Sequence, residues 1–252
     1  MKKRMTQPQD MTCGTPWKLI LMFAVPLIFG NIFQELYTIV DTMVVGKKLG
    51  VNALAAVGAT GWVFMFNSML IQGFTQGFGI QIAKMVGEND TVKLKRAISN
   101  SIILSALLSI VLLLGMQLII NPAMHILRIP LNIRDISVTY LRVIFVGIPF
   151  SVAYNIFAVI LRSLGNSKTP LNAMVISTSS NIVLDILFVV GFQWGVIGAA
   201  VATIISQLLS AVYCFVILNK CDIFKANYIE FRLDIAETLV MLKLGTPMAI
   251  QN

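Results

Sequence analysis

Long apolar runs separated by short polar connections make up most of the chain. They fall at about 18–45, 53–83, 98–121, 139–161, 169–191 and 195–219, and another opens near 238. Each complete run reaches the roughly 20 residues that an α-helix needs to cross a hydrocarbon core about 30 Å thick. No charge occurs between Lys48 and Lys84, and only Asp185 interrupts the stretch from Lys168 to Lys220. The predicted architecture is therefore an all-α membrane protein, a six-transmembrane-helix bundle followed by the start of a seventh helix.

The connections carry their own signals. Gly191-Phe192-Gln193-Trp194-Gly195 combines two glycines with aromatics suited to a membrane interface and predicts a tight hairpin between the fifth and sixth spans. Gly165-Asn166-Ser167-Lys168-Thr169-Pro170 predicts a turn and a helix start near Thr169, with the proline where a first turn tolerates it. The most polar connections are 87–96 and 220–237. The second is long enough to link two lobes, which divides the chain into an N-terminal six-helix lobe at 1–237 and the start of a second lobe's seventh helix at 238–252. An internal repeat supports that division: Leu21–Asn31 and Leu242–Asn252 share Leu, Pro and Asn at a constant offset, with apolar positions between them. On this reading the chain carries one lobe and a second six-helix lobe is missing.

Composition sharpens the membrane assignment. Charged residues make up 12% of the chain and mean hydropathy is +0.85, whereas soluble domains carry about 25% charged residues. The net charge of +8 could suggest a nucleic-acid partner, but Lys and Arg gather in the connections. With the N-terminus inside, fourteen of the 19 fall on the inner side, as the positive-inside rule expects. The basicity thus sets topology: a multi-pass protein of the cytoplasmic membrane with a cytoplasmic N-terminus, lipid as its surroundings and no nucleic acid. No cleaved leader is read at the N-terminus. Cys13, Cys214 and Cys221 are odd in number and are expected to be free thiols.

Three carboxylates lie inside apolar runs: Glu35, Asp41 and Asp185. A charged side chain at a helix centre costs about 2.5–3.5 kcal/mol on insertion scales, so such a group marks a functional site by default. Gln34, Tyr37, Thr38 and Asp41 fall on one arc of the first span, with Glu35 at its edge. On the fifth span Ser177, Thr178, Asn181 and Asp185 repeat the arrangement, and Asn181 and Asp185 stack four residues apart. The sixth span adds Thr203, Ser206, Gln207 and Ser210. If these faces meet, two carboxylates share an oxygen-rich pocket. Desolvation and like charge disfavour two ionised carboxylates side by side, so the pair suits uptake of a proton, and its oxygens also suit a hard cation such as sodium.

Blander readings stand beside these. Ser, Thr, Asn and Gln often join membrane helices through hydrogen bonds, and this accounts equally for the sixth-span residues. Pro26 frees a backbone carbonyl and can kink the first span, with or without a mechanistic role. The glycines of the second span (Gly58, Gly61, Gly73, Gly77, Gly79) and of the sixth (Gly195, Gly198) read as close helix packing. His125 reads as a surface residue, and with no phosphate-binding loop and no Cys/His cluster, neither a metal nor another cofactor is expected.

Three stretches resemble the multidrug and toxic compound extrusion (MATE) family of transporters. They are Pro26 through Gly50, with Gln34, Asp41, Val45-Gly46 and Leu49-Gly50 followed by Leu54-Ala55-Ala56; Arg162 through Pro170; and Asn181-Ile182-Val183-Leu184-Asp185. The resemblance spans the whole chain but half of a twelve-helix, two-lobe member. It implies an N-lobe cation site formed by Tyr37, Asp41, Asn181, Asp185 and Thr203, and a bending proline at Pro26. Gln34 and Glu35 are secondary pocket candidates. It further implies entry of protons or sodium ions driving export of organic, often cationic compounds. Two rival readings differ in what they require. A lipid-linked precursor flippase of related fold would line its cavity with Arg and Lys, yet only Arg142 and Arg162 lie near helix ends; an intramembrane aspartyl protease would carry Gly-x-Gly-Asp, which is absent. A fragment without independent transport is the third reading.

Overall fold

The computed structural model describes residues 15–221 and 234–251. Regular structure among them is helical throughout: α1 Pro16–Leu49, α2 Val51–Gly87, α3 Thr91–Ile126, α4 Leu131–Val146, α5 Ile148–Ser163, α6 Lys168–Asp185, α7 Val196–Leu218 and α8 Ile235–Gln251. Past Asp185, α6 continues into a π-helical segment, Ile186–Gly191. Four of these helices are long and apolar enough to cross a membrane, and the α4–α5 pair makes a fifth if counted as one span. At 34 residues, α1 also has the length to cross. Cys13 and the linker from 222 to 233 lie outside the described residues, so the expected N-terminal arm and the placement of a domain boundary are not seen. Cys214 is a free thiol, and both Cys214 and Cys221 are buried.

Local sequence sets most boundaries. Gly50, at φ +84°, separates α1 from α2, a backbone conformation that suits glycine. Asp90 caps α3 by accepting from the Val92 and Lys93 N–H groups at 3.1 and 3.0 Å. Gly165 closes the α5–α6 turn at φ +82°. In the 191–195 hairpin Gln193 as well as Gly195 takes positive φ, and Trp194 stacks on Phe188 with ring centroids 5.0 Å apart. The aromatics expected at the interface thus also pack on one another.

The fourth span departs from expectation. It starts at Leu131 rather than near 139, and it is broken after Val146, with α4 and α5 bent by 46°. Pro149 explains the break. It has no N–H to give to the carbonyl four residues earlier, and the Gly147 N–H closes onto Ile144 O at 3.0 Å instead. Gly147 also lets α7 approach, since a Cβ there would stand 2.7 Å from Ile204 Cγ1. The glycines of α2 divide. Gly77 lies against the backbone of Gly245, Gly73 against that of Ala249, and Gly79 against Val159, while a Cβ at Gly58 or Gly61 would meet nothing within 4 Å. Close packing therefore accounts for Gly73, Gly77 and Gly79 and not for Gly58 and Gly61. Of the sixth-span pair, Gly198 packs on Phe188 and Gly195 serves the turn.

Two large apolar clusters hold the bundle, beside a small third one of Val45, Ala53, Val189 and Ala199. One gathers Phe78, Ile82, Ile98, Ile160, Leu161, Leu218 and Met241 from α2, α3, α5, α7 and α8. The other gathers Val63, Ile71, Leu112, Leu141, Phe145 and Val152 from α2 to α5. Along α2 and α7 the two lie at opposite ends of the helix, leaving a polar zone between them. Large side chains such as Trp62, Leu118 and Leu131 remain exposed on the outside, where lipid is their solvent.

Candidate ion site and cavity

The carboxylates meet because α1 packs directly on α6. A Cβ at Gly30 would stand 2.7 Å from Met174 Sδ, so at this point α1 presents bare backbone to the Met174 side chain of α6. Eleven residues further along each helix, about three turns at 3.6 residues per turn, the same faces present Asp41 and Asp185. Their carboxyls share a hydrogen bond. Asp185 is 0% exposed and Asp41 9%. Each keeps one buried oxygen, Oδ1, without a hydrogen-bond partner, which is unusual for buried polar atoms.

Asn181 bridges this pair to α7. In the amide orientation that satisfies both ends, it donates to Asp185 Oδ2 at 2.8 Å and accepts from the Thr203 N–H at 3.2 Å. The Thr203 hydroxyl donates to Ala199 O at 3.1 Å. Asn181 and Thr203 both open onto a cavity of about 380 Å³ between the two apolar clusters. The fifth and sixth spans contribute the faces the periodicity selected: Ser177, Thr178, Ser206, Gln207 and Ser210 all line it, as does Thr38 of α1.

Other candidates sit apart or out of view. Glu35 is exposed and is not among the cavity-lining residues, so the geometry does not bring it to the carboxylate pair. The side chains of Tyr37, Gln34 and Pro26 lie outside the described residues; α1 runs uninterrupted past Pro26. His125 is exposed, with its ring 2.6 Å from an Arg134 nitrogen. The helix-joining role of hydroxyls is seen in part: Ser206 and Ser210 donate within α7, to Ala202 O and Ser206 O, whereas Ser151 donates across to Gln207.

Sequence reading missed the cavity walls supplied by α2 and α5. Gln72 with Gln76, and Ser151 with Asn155, face the cavity from those helices. Each pair is spaced four residues apart in an otherwise apolar run, the same signal that exposed Asn181 and Asp185. Arg162, placed by its sequence at a helix end, also lines the cavity.

A multi-pass helical bundle with paired intramembrane carboxylates beside a polar chamber is the architecture of a membrane transporter lobe. The comparisons specify which: the MatE family model matches residues 26–187, and the chain belongs to that family. It is 30% identical over 96% of its length to the "Probable multidrug resistance protein YpnP" of Bacillus subtilis, covering 54% of that relative. It is 26% identical over 94% of its length to the "Multidrug export protein MepA" of Staphylococcus saprophyticus, covering 52% of it. A solved structure described as the outward-facing conformation of a multidrug resistance MATE family transporter superposes with a TM-score of 0.89 at 26% identity, over 98% of this chain and 55% of that one. The chain thus spans about half the length of the relatives it matches.

Proposed function

We propose that this chain forms the ion-coupling lobe of an antiporter that exports organic, cationic compounds across the cytoplasmic membrane, driven by protons or sodium ions. One observation carries the reading: two buried carboxylates share a hydrogen bond and are linked through Asn181 and Thr203 to a polar cavity. The buried Oδ1 atoms of Asp41 and Asp185 are where a proton, or a sodium ion completing an oxygen shell, would bind. Occupancy would favour one of two lobe arrangements through its differential affinity for them. A second six-helix lobe would supply the other wall of the pathway, and α8 would begin it. The basic residues would hold the N-terminus on the cytoplasmic side. One arginine in the cavity is far from the Arg/Lys lining a pyrophosphate headgroup calls for, so the flippase reading is not favoured.

The test uses the full-length gene product in proteoliposomes. Asp41→Asn and Asp185→Asn are each expected to abolish ion-driven efflux while leaving the protein folded. Efflux retained in both variants would overturn the assignment, and comparing imposed proton and sodium gradients decides the coupling ion.

A further inference from the structure

Arg162 is the only charged side chain among the described residues that line the cavity. It stands in the last turn of α5, where positive charge near the inner membrane face would ordinarily turn toward headgroups. Here it points inward instead. Its ionisable neighbours are the Tyr154 phenol and the Cys214 thiol, and no carboxylate among the described residues pairs with it. The surrounding walls are uncharged and rich in hydrogen-bonding groups: Gln76 from α2, Asn155 from α5 and Ser210 from α7. A largely buried guanidinium without a carboxylate partner is costly, and a planar anion that accepts two parallel N–H bonds is its best complement.

Along α7 this group is remote from the carboxylate pair. Thr203 faces Asn181, whereas Cys214, eleven residues later, neighbours Arg162, a rise of about 16 Å at 1.5 Å per residue. The cavity therefore has a basic end about three turns from the Asn181–Thr203 end that leads to the carboxylate pair, and its volume of about 380 Å³ lies within the range of small-molecule sites, roughly 300–1,000 Å³.

We infer that Arg162, in a cavity whose walls also carry Gln76, Asn155 and Ser210, is a carboxylate-binding subsite, so that the organic compounds this cavity takes include ones bearing a carboxylate. The inference rests on the transporter reading in taking the cavity as the substrate chamber, and it deepens that reading by naming a chemical group of the substrate. An Arg→Lys change at such a site keeps charge but loses the two-pronged geometry.

The test is equilibrium dialysis of the full-length protein in lipid nanodiscs, with dansylglycine and its uncharged analogue dansylglycinamide as probes and empty nanodiscs subtracted. Wild-type protein is expected to bind dansylglycine at least tenfold more tightly than the amide. Arg162→Gln should remove that preference, with its thermal midpoint reporting that the protein is folded; Arg162→Lys should fall between. If Arg162→Gln does not fold, the wild-type preference and the Arg162→Lys value decide. Equal binding of the two probes by wild-type protein, no binding of either, or an undiminished preference in the variants overturns the inference. Binding is read without an ion gradient, so failure of ion coupling in the aspartate variants would leave this result standing, and the reverse holds too.

Discussion

Asn100 of α3 donates to Glu237 Oε2 at 2.9 Å, and its own carbonyl oxygen accepts from the Asp234 N–H at 3.2 Å. One fully buried amide therefore holds the first turn of α8 against the bundle by both of its ends. Asn100→Ala removes both bonds from partners that are exposed or half-buried, at about 0.5–1.5 kcal/mol each. The expected outcome is a lower thermal midpoint for the full-length protein, together with faster amide exchange at the start of α8. A midpoint equal to wild type would show that α8 is held by other contacts.

The α2–α8 contact depends on the absence of side chains. At Gly77 any Cβ would run into the Gly245 backbone, while at Gly58 it would meet open space. Gly77→Leu should displace α8 and cut the yield of folded protein severely, and overpacking costs of 1–3 kcal/mol are typical, so about 3 kcal/mol is expected here. Gly58→Ala should be neutral or slightly stabilising, since alanine is the better helix former by up to about 1 kcal/mol. Size-exclusion profiles and thermal midpoints of the two variants test the contrast directly.

The α2–α3 connection predicts an acid-side effect. The Lys93 N–H, with help from the Lys93 ammonium and the Val92 N–H, holds the Asp90 carboxyl below its ordinary value of 3.8. A carboxylate with a depressed folded-state value contributes stability above its unfolded value and loses it as pH falls through the folded one. Asp90→Ala should therefore lower the thermal midpoint at pH 7, and the gap from wild type should start to close below about pH 3.8. A gap independent of pH would show that the cap acts through something other than its charge.

Gly30 sets the distance between the two carboxylate-bearing helices. A larger side chain there displaces the Met174 side chain or α1 itself, and where α1 gives way Asp41 is drawn from Asp185 three turns further on. Gly30→Val is expected to reduce ion-driven efflux at least tenfold, with a smaller change in melting. Gly30→Val protein that transports like wild type would show that the pair tolerates wider spacing.

Much of this was legible in the chain. Span number followed from apolar runs long enough to cross a bilayer, and the polar faces of α6 and α7 followed from helical spacing, because a buried polar residue in an apolar run has few other reasons to be there. The Gly147–Pro149 break was also written in the sequence, but hydropathy is blind to a missing N–H, and Ile148 and Phe150 kept the run apolar. The start at Leu131 was hidden by Arg134, Asp135 and Arg142, which a helix carries readily where it leaves the hydrocarbon. That Gly30, rather than another α1 residue, sets the approach to α6 depends on what lies opposite, which one strand of sequence does not contain. The orientation of Arg162 into the cavity had the same origin: its position at a helix end was plain, and the direction of its side chain was decided by the helices around it.

The π-helical segment begins at the residue after Asp185. A π turn holds one more residue than an α turn of the same backbone, so the C-terminal end of α6 carries a residue of slack. Rewinding that turn to α would rotate one side against the other by about 100°. The extra residue therefore lies between the Asp185 carboxyl and the Phe188–Trp194 stack of the hairpin that follows, so any rewinding there would turn one relative to the other.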